Sequence, residues 1–372
     1  MMRRGMTKRP AKPSTEKDAS ILARLPMAIH GHVGTFFSDV DDVLLKRAGG
    51  SQSKRYYAAK VELATCIKQG DNKYNKISAI LNELPYLSAF KTEALHNKLL
   101  QLNPELLQHM AFGEQDEAEK LLTDNSYMNI AQKLLTLPGT FTDYSGRTFK
   151  CTAYEYAYWA KDTHMCRMLE ACMDDDTKAT MLERIDSIER DGLTYEQHGH
   201  VVKHSRHFDL TPLKEALRRY VDEYPAWEAA NDETAMKAAW MRVGLAQRDL
   251  PVHVVNEYCR PDRAFDPLPT FNDVTLPRTI RYFDYRSFEV ESLFPLVISG
   301  SSGLGVDFAL YRARTGGRQL QTGGNSSARP NRRAACLDFA AVSHLDEVRT
   351  ADLMKSRKIL EMASPNHDFR LS

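Results

Sequence analysis

Four histidines crowd one short stretch: His198, His200, His204 and His207 within EQHGHVVKHSRHF (Glu196–Phe208). A His-x-His followed by His-x-x-His has ligand types and spacing suited to zinc if the segment folds back on itself. No cysteine lies close by, and Lys203 and Arg206 add positive charge that opposes a cation, so no metal and no cofactor is expected. A second chemistry needs a thiol beside an imidazole, and Cys151 or Cys166 with His164 is the nearest pairing for nucleophilic catalysis. His164 falls in a turn between two helices and Cys166 and Cys172 on the helix after it, so these thiols read as packing residues and no catalytic residue is assigned. Gly300-Ser301-Ser302-Gly303-Leu304-Gly305 follows a strand-like run as a phosphate-cradling loop would, but it lacks the Lys-Ser/Thr of a P-loop. It reads as a glycine-rich turn. The carboxylates Asp41-Asp42 and Asp174-Asp175-Asp176 read as helix-start acids and solvated faces.

The elements that would hold these residues are mainly helices. A helix-pair pattern occurs three times, at Glu62–Pro85, Leu106–Asp124 and Thr152–Met173, with polar turns at Gly70-Asp71, Gly113-Glu114 and Lys161-Asp162. Pairs that cannot bury their apolar faces alone must stack, and stacked pairs make an extended binding surface. Their turns are 43 and 49 residues apart, which is longer and less regular than a clean solenoid period. Between the second and third pairs, LPGTFTDYSGRTFK (Leu137–Lys150) reads as a hairpin-like finger. Its Tyr144, Arg147 and Phe149 are expected to be exposed anchors for a partner, because aromatic and Arg side chains dominate such contacts.

Residues 1–20 read as a disordered tail, 21–60 as a helical segment, 61–175 as the helix-pair array and 176–292 as a helical region ending in a Pro-rich stretch. Residues 293–372 read as a small mixed region with a flexible loop at 315–333. DDDTKATMLERIDSIERDGL should start on its acids and stop at Gly192. The next helix is expected to open on Thr211 as N-cap and end at Pro225, and the stretch at 196–208 to be an exposed connector.

Lysine and arginine total 50 against 49 acidic residues, so neither a nucleic-acid nor a membrane-surface partner is predicted. The apolar runs are too short for a membrane span, no secretory signal peptide is expected at the basic N-terminus, and six scattered cysteines suit a reducing compartment.

Thr152-Ala153-Tyr154-Glu155-Tyr156-Ala157, with Asp162-Thr163-His164 and Met168-Leu169, resembles a divergent ankyrin repeat: Ala153 replaces its Pro and Glu155 its His. Leu25-Pro26-Met27-Ala28-Ile29, Val33, Phe36-Phe37, Val40 to Leu45 and Ser53-Lys54-Arg55-Tyr56-Tyr57 resemble an F-box. That resemblance implies docking of Leu25, Pro26, Ile29 and Phe36 onto a Skp-family linker of a cullin–RING ubiquitin ligase, with the repeats choosing the substrate. The phrases DYSGRTFKCTAYEYAYWAKDTHMCRML and LDEVRTADL resemble segments of Legionella-type type IV secretion effectors. The resemblance implies a protein secreted into a host cytoplasm that holds host proteins there, or otherwise a cytoplasmic one. The fold expected is a mainly α, irregular ankyrin-like array, and the function a protein–protein interaction scaffold. The opposing expectation is an effector enzyme with its chemistry in the C-terminal region and the repeats as targeting arm.

Overall fold

A computed structural model describes residues 85–124, 130–294, 303–312 and 324–363. The tail, the F-box-like segment with Leu25, Pro26, Ile29 and Phe36, the first helix pair and Ser301 lie outside the described residues. The chain divides into two compact units, residues 1–100 with 124–130 and residues 101–123 with 131–372. Of the first, the described part is chiefly residues 85–100 of helix α1 (Pro85–Phe112). Everything below concerns the second.

Mainly α is the architecture: ten helices and eight strands are present among the described residues. α1 ends at a turn in which Gly113 takes φ +70°, and α2 (Gln115–Asp124) follows, as the second helix-pair pattern predicts. α3 (Ile130–Thr136) leads into β1 (Gly139–Thr142) and β2 (Thr148–Cys151), the expected hairpin. α4 (Ala153–Ala160) opens on a capping box: Thr152 Oγ1 accepts the Glu155 amide at 3.2 Å and Glu155 Oε2 accepts the Thr152 amide at 2.8 Å. The glutamate that departs from the ankyrin pattern is the residue that completes this cap. α5 (Thr163–Cys172) is capped by Asp162, and Lys161 between the helices is left-handed at φ 60°. α6 (Asp175–Asp191) starts on Asp174 and stops at Gly192, as its acids and glycine predict.

β3 (Leu193–Gln197) and β4 (His200–Ser205) complete an antiparallel sheet of order β1-β2-β3-β4, with α4, α5 and α6 inserted between β2 and β3. The histidine-rich stretch is therefore a hairpin and not a connector, because His198 and Gly199 both take positive φ, as a tight two-residue turn requires.

α7 (Thr211–Ala230) and α8 (Glu233–Arg248) pack as an antiparallel pair, and α7 also packs on the last helix, α10 (Arg332–Met362). Two expectations for α7 are corrected. Thr211 is its first residue and not its N-cap, and Asp209 Oδ1 accepts the Thr211 amide at 2.8 Å. Pro225 lies inside it, because Tyr220, Tyr224 and Trp227 keep helical spacing across the proline and cluster about one another and Trp240 of α8. α9 (Val252–Cys259) is buried on every side.

A second sheet has the order β6-β5-β8-β7, from β5 (Arg281–Asp284), β6 (Glu289–Ser292), β7 (Ala309–Tyr311) and β8 (Gly324–Ser327). Part of the expected flexible loop at 315–333 is thus an inner strand, and Asn331 caps α10. Small residues suit β8 because a Cβ at Gly324 would come within 2.7 Å of the Tyr258 carbonyl. One core joins α7, α8, α9, the second sheet and the first half of α10, with Trp240, Tyr220, Tyr258 and Phe265 fully buried. α5 and α6 pack on α10.

Candidate functional site at the β1–β2 turn

The turn Asp143–Arg147 is tied by its own side chains. Asp143 Oδ1 accepts the Ser145 and Arg147 amides at 3.0 and 2.9 Å, and its Oδ2 accepts Arg147 Nη1 at 2.6 Å and the Tyr156 hydroxyl at 3.3 Å. Gly146 at φ +79° closes the turn. Both charged side chains are buried, at 0% exposed for Asp143 and 1% for Arg147. Such a pair holds only because each charge has its partner and further hydrogen bonds.

Here the sequence expectation is corrected. Tyr144, Arg147 and Phe149 are 5%, 1% and 1% exposed and are not free anchors on a finger. The cause is the sheet: β2 pairs with β3, Phe149 lies opposite Tyr195, and its ring packs 4.8 Å from Trp159 and 5.3 Å from Tyr156 on α4. Tyr144 donates its hydroxyl to the Leu293 carbonyl at 2.9 Å. Tyr144 and Arg147 nevertheless border open space.

On one side of the turn lies a groove of about 760 Å³, lined by Gln108 and Phe112 of α1, Phe141 and Tyr144 of the hairpin, Arg248 and Phe294. The Phe294 ring stands 5.6 Å from Phe112 edge-on and 6.1 Å from Tyr144, and is 51% exposed, so the groove is walled by aromatic surface that solvent reaches. On the other side is a smaller, more enclosed chamber of about 210 Å³. Its wall carries the Arg147 guanidinium, centred 5.4 Å from the Trp159 ring, 5.0 Å from Phe208 and 6.0 Å from Tyr195. Burial raises the Tyr195 hydroxyl pKa, and the neighbouring arginine partly offsets that rise. Gln197 forms a strut between the two spaces, donating to the Ser145 carbonyl at 3.2 Å and to Asp249 Oδ1 at 3.3 Å.

A second concentration of charge lies at α5, α9 and α10. Arg278 forks onto Asp162 at 2.7 and 3.0 Å. Glu257, 0% exposed, accepts from Arg349 at 2.9 Å, from Arg260 at 3.4 Å and from Arg263, while Asp273 takes Arg260 and Arg263. Burial alone would push the Asp162 carboxyl up; the Arg278 guanidinium and His253 override it and hold the group well below the usual carboxylate range. Burial drives His164 down to about 4 and His253 to about 3, so both imidazoles are neutral near pH 7. His164 Nε2 faces the Asp273 carbonyl at 3.0 Å. These are internal pairs that lock the C-terminal elements to the α4–α5 turn.

The thiols considered for catalysis sit badly for it. Cys151 and Cys166 are buried, and burial pushes both well above the ordinary thiol range, opposite to what a nucleophile needs. The hairpin histidines face carboxylates and a carbonyl: His198 Nε2 lies 3.2 Å from Asp249 Oδ1, His204 Nδ1 2.9 Å from the Asp191 carbonyl and His207 Nε2 3.0 Å from Glu189 Oε1. Sequence reasoning missed Asp143, Trp159, Tyr195, Phe208, Arg248 and Asp249. Only Asp143 left a local sign, an acid four residues before Arg147 across a Ser-Gly turn.

Residues 212–360 match the CBUA0006 C-terminal domain, a stretch that holds α7 to α10 and the second sheet. The chain is similar to Uncharacterized protein CBUA0006 of Coxiella burnetii (strain RSA 493 / Nine Mile phase I), at 34% identity over 282 residues, which cover 71% of this chain and 78% of that protein. No solved structure matches. The similarity runs beyond the matched C-terminal domain, and the chain belongs to the CBUA0006 family.

Proposed function

We propose that the chain is a protein–protein interaction scaffold that holds a peptide segment of a partner protein in the groove beside the β1–β2 turn. The observation that carries this reading is the groove itself: about 760 Å³ of open space with Phe112, Phe141, Tyr144 and Phe294 along it and Arg248 and His198 at its edge. Aromatic walls with the Arg248 guanidinium at the rim suit an apolar side chain flanked by an acidic residue. The helix pairs, read as ankyrin-like, serve in this proposal as the frame that presents the turn. Kinship with a Coxiella burnetii protein agrees with a secreted bacterial effector acting on host proteins. The F-box-like segment at 21–60 would add a ubiquitin-ligase adaptor role.

Selection of displayed peptides on the full chain tests the groove. Peptides with an apolar anchor are expected, and Phe294→Ser should weaken them at least tenfold while the variant stays folded, since the ring is 51% exposed. Unchanged binding by the variant overturns the groove. The adaptor role has its own readout: capture of a Skp-family linker should be lost in a Leu25→Ala/Pro26→Ala variant, and absence of capture by the wild type removes it while leaving the groove untouched.

A further inference from the structure

We propose that the chamber behind Arg147 is a binding site for a small zwitterion of the apolar or aromatic α-amino-acid class, separate from the groove. Three observations converge on it. First, the guanidinium holds a donor that is not fully used: Nη1 is engaged by Asp143, while Nη2 is buried with no acceptor in hydrogen-bond geometry and only the Tyr195 hydroxyl interacts with the guanidinium from the chamber side. A buried donor left open is destabilising, and a carboxylate oxygen in the chamber would remove that penalty. The Trp159 and Phe208 rings about it hold the guanidinium in place, so little side-chain freedom is lost on binding.

Second, the charges around the chamber are mixed. Arg147 is already balanced by Asp143, and the chamber's lining also includes Asp209 and Asp249. Asp209 is exposed and uses Oδ1 for the Thr211 amide, which leaves Oδ2 for a ligand. A simple anion would meet two carboxylates, and a simple cation would meet the guanidinium. A molecule carrying both charges satisfies both ends. Third, Pro212, Leu213, Ala246 and Leu250 give the chamber an apolar side, Gln197, Ser205 and His207 add polar groups to its wall, and the volume of about 210 Å³ matches one medium or large amino acid.

Titration calorimetry on the full chain with L-phenylalanine and L-leucine tests the proposal. Phenethylamine and 3-phenylpropanoate serve as probes that keep the ring but have one charge each. Saturable binding of an amino acid is expected, at least tenfold tighter than either single-charge probe. Asp209→Asn should weaken the amino acid at least tenfold and leave 3-phenylpropanoate unchanged or improved, since the Asn oxygen can still accept the Thr211 amide. Ala246→Phe, which fills the chamber from a partly exposed position, should abolish binding. No saturable amino-acid binding, equal binding of a single-charge probe, or indifference to Ala246→Phe overturns the proposal. Groove peptides should bind both variants as before, so the two readings fail separately.

Discussion

The β1–β2 turn and the charged network of α5, α9 and α10 both bury arginine against carboxylate, yet they differ in what surrounds the pair. In the network, Arg278, Arg349, Arg260 and Arg263 all face carboxylates supplied by the protein itself, across 116 residues for Arg278–Asp162 and 92 for Arg349–Glu257. Arg263, Arg278 and Arg349 each leave a buried Nε without a partner, but at the turn, where Asp143 and Arg147 are only four residues apart, the open donor stands in the wall of a chamber. Long-range pairs such as Arg278–Asp162 and Arg349–Glu257 join segments. A local pair that leaves a donor over empty space presents a group for something else. Buried charge alone does not mark a binding site; the unfilled neighbour does.

Glu257→Ala should break the network most severely. Three guanidinium groups would lose an acceptor that is itself fully buried, and removing one member of such a set costs about 3–5 kcal/mol. Urea denaturation of the variant measures it. A loss below about 1 kcal/mol would mean the network does not hold the fold, and the contrast with the turn would collapse.

Acid should act on the same region next. In the unfolded chain His164 and His253 take up protons near pH 6.5, whereas in the fold burial lowers them to about 4 and about 3. Between those values the unfolded state binds more protons, so stability falls as pH drops from about 6.5 towards 4. Asp338, whose carboxyl burial pushes well up, works in the opposite direction, because its protonation relieves a cost of the folded state. The comparison of wild type with His253→Gln isolates the imidazole: the variant should lose less stability over that interval, by on the order of a few kcal/mol. Parallel pH curves would show that His253 is not the buried neutral base described here.

How much of this was legible in the sequence depends on distance along the chain. Gly192 and the acids at Asp174 gave the bounds of α6, and Leu137–Lys150 gave the hairpin, because caps and turns are written within a few residues. Mainly α followed from helical periodicity. The exposure of Tyr144, Arg147 and Phe149 was misjudged because strand β3, which covers Phe149, enters some 45 residues later. The buried strand β8 was hidden by its Gly and Ser composition, which signals a loop unless the neighbouring backbone is known to approach closely. The chamber was not legible at all: Arg147, Trp159, Phe208 and Asp249 come from four separate elements or their edges. Chemistry assembled by tertiary contact leaves no spacing to read.

The smallest effect sharpens the comparison most. Asp209→Asn changes an exposed side chain beside the chamber and keeps the oxygen that takes the Thr211 amide, so unfolding should shift by no more than about 0.5 kcal/mol. Replacing Thr152 by Ala, a purely structural change at the start of α4, removes a capping hydrogen bond and should cost about 1 kcal/mol. If the turn is a binding region, the aspartate variant changes ligand selectivity while its unfolding curve overlays the wild type, and the threonine variant does the reverse. Were Asp209→Asn to destabilise the fold by more than Thr152→Ala, Asp209 would belong with the structural carboxylates of the network. The distinction between a region that holds the fold and one that presents groups to a ligand would then fail at the position where it is drawn most finely.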